Sequence, residues 1–174
     1  VGSFVDYFET LIGWERHRAQ QFGIHHFCTM ALNPREANDD RVNQDVMAIL
    51  PRYCEKDSCL GIGEIGLDDQ TKAEERFLAA QLELARKHSL PALVHTPHRD
   101  KKKGFERCIA IVKASGLPMQ RVLLDHGQRG GPSPEASVDR LLILAERATF
   151  LDVTFGDARD AARALAARAA GEVR

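Results

Sequence analysis

Apolar positions along the chain fall into two kinds of segment, and their order predicts a repeated β/α architecture. Phe4, Tyr7, Phe8, Leu11, Ile12 and Trp14 make a helical stripe behind Ser3, which reads as an N-cap with Asp6 three residues on. Gly23 is the stop signal for that helix. The run 24–32, IHHFCTMAL, has strand composition and ends at the turn pair Asn33-Pro34. From about Asp39 to Tyr53 the pattern is helical again, with Val42, Val46, Ile49 and Leu50 on one face. Leu60–Ile65 predicts the next strand. Thr71 to His88 is the clearest helix. Thr71 and Glu74 form a capping box there, and Phe77, Leu78, Gln81, Leu82 and Ala85 follow at helical spacing. A short strand over 91–95, a helix over 104–115 stopped by Gly116, and a strand over 121–126 complete the series.

The strands are short, apolar and without alternation, which predicts burial on both faces and hence a parallel sheet. The fold class is therefore α/β, either an open doubly wound sheet or part of a (β/α)8 TIM-type barrel. Past residue 127 the character changes. GQRGGPSPEAS (127–137) is rich in Gly, Pro and Ser. A helix is expected over Leu141 to Arg147 and a strand over Thr149–Val153, while 156–174 holds eight Ala and four Arg. The organisation read from this is a partial β/α barrel over 1–127 and, over 128–174, an atypical Gly/Pro-rich loop with an Ala/Arg-rich helical tail.

Three polar residues close apolar strands. Glu64, His95 and His126 are separated by 31 and 31 residues, close to the length of one β/α unit at roughly 30 residues. Equal spacing sets them at one level on successive strands, at the C-terminal rim where parallel β/α proteins build their sites. One carboxylate and two imidazoles converging on a point suit a divalent transition metal. Each alone has a plainer reading: a histidine that packs or caps, or a glutamate paired with an arginine. The equal spacing of all three favours the metal.

The bulk composition narrows the class. A chain of 174 residues with 44% apolar residues, 28% charged residues and a formal net charge of −1 has the length of one domain and no strong nucleic-acid or membrane-surface signature. No apolar run reaches the roughly 20 residues of a membrane span. Cys28, Cys54, Cys59 and Cys108 include no CxxC pair and read as reduced thiols in a cytoplasmic protein, mostly apolar filling. The chain begins at Val1 in what reads as mid-helix, which is expected of a chain lacking its true beginning.

GIGEIGLD (61–68), QLELARKHSLPALVH (81–95) and LLDHG (123–127), in that order and spacing, resemble the TatD family of metal-dependent hydrolases within the amidohydrolase superfamily. The resemblance runs from about residue 24 to 127, with none from Gln128 onward. It implies a (β/α)8 barrel with one or two divalent ions, zinc first, with magnesium or manganese as alternatives. It also implies hydrolysis of a phosphodiester, as a deoxyribonuclease, or of another ester. Glu64 corresponds to the carboxylate ligand able to bridge two metals, and His95 and His126 to imidazole ligands.

The chain departs from that pattern in two places. The family's first-strand His-x-His pair is not matched by the adjacent His25-His26, read as strand residues, and its counterpart is expected upstream of Val1. The family's late-strand aspartate has no counterpart in context, although Asp152 and Asp157 occur late in the chain.

After His95 comes Thr96-Pro97-His98-Arg99-Asp100-Lys101, which puts His98 and Arg99 on the rim as candidate catalytic residues. Arg99, with Lys101, would grip a phosphate or carboxylate, and His98 would shuttle protons. Lys102 and Lys103 read as solvated charge. Asp68 orients a ligand or shapes its loop, and Asp125, one residue before His126, is structural. The substrate expected is a small-molecule ester or a nucleic acid. The alternative is a non-catalytic half-barrel or scaffold module with remnant ligands. An open ligand-binding α/β domain lacks its Gly-rich phosphate turn, since GIGEIG does not fit GxGxxG.

Overall fold

The computed structural model describes residues 2–97 and 99–125. The expected elements of 128–174, with Asp152 and Asp157, lie outside the described residues. Helix α1 (Gly2–Glu9) runs through a π-helical turn (Thr10–Glu15) into α2 (Arg16–Gln20). Strand β1 (Cys28–Met30) is followed by α3 (Pro34–Ala37), α4 (Asn43–Cys54) and β2 (Cys59–Gly66). Then come α5 (Lys72–Lys87), β3 (Ala92–His95), α6 (Lys101–Ser115), a 3-10 turn (Met119–Arg121) and β4 (Val122–Asp125). The four strands form one sheet in the order β1-β2-β3-β4, and every neighbouring pair is parallel. Sequential parallel strands joined by helices are the arrangement of a barrel wall, not of a doubly wound sheet whose order reverses.

Several local expectations are met on physical grounds. Gly23 and Gly116 sit at φ 71° and 72°, the left-handed conformation in which a helix unwinds without a Cβ clash. Val46 and Leu50 are fully buried, and Val42 and Ile49 pack partly against the same core. Thr71 caps α5 by accepting from the Glu74 N–H at 3.1 Å.

Others are corrected. Ser3 lies inside α1 and not at its start. The stripe on the first helix is buried at Phe8, whose ring meets Tyr53 of α4 edge-on at 5.0 Å, but Tyr7 is 57% and Trp14 60% exposed. A π-turn inserts an extra residue and rotates the next turn of helix off the face, which carries Trp14 away from the core. The strand expected over 24–32 narrows to Cys28–Met30, so His25 and His26 precede β1 and are not strand residues. The turn at Asn33-Pro34 opens a short helix, with the Asn33 side chain accepting from the Arg35 N–H at 3.1 Å and Pro34 in its first turn.

Burial of the sheet also differs from the two-sided expectation. Ala92, Val94 and Val122 are buried beneath the helices, while Leu93 and His95 are only partly covered and Leu123, the register partner of Leu93, is 37% exposed. Alternate residues point to opposite faces, so one face is sealed by helices. The other, which carries His95, is the inner face of an incomplete wall.

Glycines let β2 and β3 approach closely. A Cβ on Gly63 would lie 2.6 Å from the Leu93 Cβ, and one on Gly66 (φ 144°) would overlap the His95 carbonyl. Gly66→Ala is expected to destabilise the chain by about 2 kcal/mol or more, whereas Gly13→Ala, in helix with nothing within 4 Å, is expected to be neutral or to stabilise by about 0.5–1 kcal/mol. Urea unfolding of the two variants against the parent checks the contrast.

Candidate metal centre at the strand ends

Register places the candidate residues. Gly66 pairs with His95, and His95 pairs with Asp125, so the C-terminal ends of β2, β3 and β4 stand level. Glu64 lies two residues before the end of β2, within a stretch where the register with β3 shifts between Ile62 and Ile65. Its side chain reaches along the sheet, and Glu64 Oε1 lies 2.9 Å from His95 Nδ1. The His95 side chain is 15% and the Glu64 side chain 34% exposed, so the imidazole is the more covered member of the pair and the carboxylate the more open to solvent.

Two of the three expected ligands thus meet. His126 comes directly after Asp125 in the chain, but it lies outside the described residues, as does His98. Among the described residues no group of three His, Cys, Asp or Glu side chains is gathered closely enough to hold a metal. The pair nevertheless fits one. Two donor atoms each about 2.0–2.1 Å from a single ion stand about 2.9–3.4 Å apart for angles between square and tetrahedral. The observed 2.9 Å therefore serves either a hydrogen bond or a shared ion. His25 and His26 stand at the opposite, N-terminal end of β1, where His26 Nδ1 is buried without a hydrogen-bond partner. They take no part in the Glu64–His95 pair.

The loop after β2 is fixed by a buried carboxylate. Glu74 is 1% exposed. It does not return to the N–H of Thr71, as a capping box would have it. It accepts instead from the N–H groups of Asp68 (2.9 Å), Asp69 (3.1 Å) and Gln70 (2.8 Å), and from Asn38 Nδ2 at 2.7 Å. Asp68 Oδ2 accepts from Arg35 Nε at 2.9 Å, so Asp68 shapes this loop and links it to the segment after β1. Gln81, read as part of an apolar face, is 1% exposed and holds the segment after β1 directly. Its Oε1 accepts from the Leu32 N–H at 2.7 Å, and its Nε2 donates to the Leu32 carbonyl at 3.0 Å.

The loop after β3 is tied in next. Gln70 Nε2 donates to the Arg99 carbonyl at 2.9 Å, and Arg107 donates to the Gln70 carbonyl at 3.0 Å and, through Nε, to Glu75 at 2.8 Å. Arg99 itself is exposed on this loop, as are Lys101, Lys102 and Lys103 at the start of α6.

Sequence reasoning missed Arg35, Gln81 and Arg107, and assigned Glu74 only a capping part. A glutamine at a core-facing helical position is the one signal that pointed to a buried tie.

The family model for TatD related DNase matches residues 12–133, so the likeness extends slightly past Gln128 and begins earlier than residue 24. An uncharacterized metal-dependent hydrolase of Methanocaldococcus jannaschii is 27% identical over 124 residues, 71% of this chain and 48% of the relative. The crystal structure of a TatD-like protein from Archaeoglobus fulgidus superposes with a TM-score of 0.61 at 25% identity, covering 81% of this chain and 55% of that one. The chain spans about half the length of the relatives it matches. No described helix is long and apolar enough to cross a membrane.

Glu74→Ala would leave three loop N–H groups and Asn38 without their acceptor and is expected to cost about 3–5 kcal/mol, read as a fall in the urea midpoint. Glu75 gives a pH signature. The Lys72 ammonium and then the Arg107 guanidinium hold its carboxyl below the usual value of 4.5. Its contribution is therefore complete above that pH and is lost as pH falls through the lowered value. Urea midpoints measured from neutral down to pH about 3 should fall more steeply for the parent than for Glu75→Gln.

Proposed function

The chain belongs to the TatD related DNase family, and from that premise we propose that it carries part of the active site of a metal-dependent hydrolase acting on a phosphodiester or another ester. The observation that supports this reading most directly is the Glu64–His95 pair, 2.9 Å apart at the strand ends. A divalent ion bound there, zinc before magnesium or manganese, would activate a water and polarise the ester oxygen. Glu64, His95 and His126 would hold the ion. Arg99, on the loop fastened to Gln70, would neutralise the phosphate of the substrate, and His98 would carry the proton to the leaving group.

The carboxylate of Glu64 is the more exposed member of the pair, which suits a ligand open to water on one side. A short phosphodiester or a single strand suits the net charge of −1 better than a duplex, whose affinity rests on many cationic contacts.

The test is zinc binding by calorimetry on the chain, on Glu64→Gln and on His95→Ala, and then hydrolysis of bis-para-nitrophenyl phosphate. The reading expects zinc affinity to fall about tenfold or more in each variant, with metal-dependent turnover that a chelator removes. Zinc binding indifferent to both substitutions contradicts it. Binding that depends on both residues, without turnover in the chain or in a full-length relative, supports the non-catalytic half-barrel instead.

A further inference from the structure

Large apolar side chains left open to solvent are not spread evenly over the wall. Among the described residues they are Tyr7, Trp14, Phe22, Ile24, Phe27 and Leu123, with Phe22 the most open at 80%. The first five precede β1 and the sixth lies on β4, so they mark the two ends of the strand series. Among the described residues β1 pairs only with β2 and β4 only with β3, which makes both of them edge strands. An edge strand presents backbone N–H and C=O groups ready to pair, and clustered exposed apolar side chains mark a surface that binds.

The face between these edges is open as well. Met30, Ala92 and Val122 stand level through Ile62 and are buried under the helices. The residues next to them, Thr29, Leu93 and Leu123, point to the other side. Thr29 and Leu123 are exposed there and Leu93 is half-buried.

Strand direction and number say what covers this surface. All four strands are parallel and in sequence order. Continuing the wall needs a parallel strand beside β4 and another beside β1. A lone added strand would meet one edge and leave the other. A second copy given half a turn about the axis of the wall meets both at once. Four strands and four then reach the eight at which a parallel barrel closes with an interior that side chains fill. One copy covers 48% and 55% of the relatives it matches, so two copies carry about the length of one. Helix α4, which precedes β2, packs on both β1 and β2. By the same rule α1 and α2, which precede β1, would pack across the junction between β1 and the strand before it. Trp14, Phe22 and Ile24 lie in that part of the chain. A formal net charge of −1 sets little repulsion between copies.

We propose that the open face and its two edges are a dimer interface, on which a second copy of this chain lays its β1 against β4 and its β4 against β1 to close one eight-stranded barrel. Head-to-tail contacts that return on themselves after two copies leave no free edge. Both Glu64–His95 pairs then stand on one rim, because every strand points the same way. The dimer depends on the sheet and not on a bound metal, so it stands or falls separately from the hydrolase reading.

Sedimentation velocity on the full chain over a range of concentrations, with hydrogen exchange on the same samples, tests this. A species of twice 19.4 kDa is expected, with slowly exchanging amides in β1 and β4. Phe22→Glu and Leu123→Glu alter residues that are open in the single chain, so helix content by circular dichroism is expected to stay. Each would bury a carboxylate in the dimer and is expected to weaken association about tenfold or more, with faster exchange in β1 and β4. Glu83→Gln, on the exposed side of α5, is expected to change neither reading. A monomer at every concentration overturns the proposal, including one in which residues 128–174 fill the open face, as does an open ladder of larger oligomers. A dimer weakened by Phe22→Glu but not by Leu123→Glu also overturns it, since that pattern belongs to association through the first helix alone. Should Leu123→Glu fail to fold, exchange in β1 and β4 of the parent against Phe22→Glu decides.

Discussion

Burying a carboxylate costs several kcal/mol unless its lone pairs are used, and at Glu74 the loop after β2 uses them. The N–H groups of Asp68, Asp69 and Gln70 converge on it, with Asn38 from the segment after β1. This gives the loop one conformation, because any other leaves both a buried charge and buried donors unpaired. From that loop the ties run outward, through Asp68 to Arg35 and through Gln70 to the Arg99 carbonyl and Arg107. The rim around Glu64 and His95 is therefore a connected hydrogen-bonded collar held by one buried group.

The sheet supplies the other half of the arrangement. Close approach of β2 and β3, which Gly63 and Gly66 permit, lets the Glu64 side chain reach the imidazole two residues further along the neighbouring strand. Helices seal the opposite face with a core that includes Met30, Leu50, Ile62, Leu82 and Val94. The face bearing His95 stays partly open at Leu93 and Leu123. The Glu64–His95 pair and the packed core thus lie on opposite faces of one short wall.

The order of elements was legible because each β/α unit carries its own local signals: apolar runs of strand length, a capped helix at Thr71, and glycine stops at Gly23 and Gly116. The meeting of Glu64 with His95 was legible because equal spacing in a repeating fold means equal height. Tertiary ties were not. Glu74 has the sequence of a capping-box residue, and only the position of the preceding loop decides which N–H groups it binds. Gln81 sits in an apolar stripe, and nothing local says that Leu32 lies opposite. The exposure of Trp14 results from a π-turn that no residue in 10–15 announces. Alternating burial across β3 was hidden because its residues are apolar on both faces, and only the helices' choice of side breaks the symmetry.

The central claim is that Glu64 and His95 are donors to one ion at the strand ends. Crystals of the chain soaked in zinc and measured at the zinc absorption edge test it most directly. The account predicts an anomalous peak about 2.0–2.2 Å from a Glu64 carboxylate oxygen and from a His95 ring nitrogen. A peak elsewhere, or none at saturating zinc with the two side chains still hydrogen-bonded to each other, would contradict it.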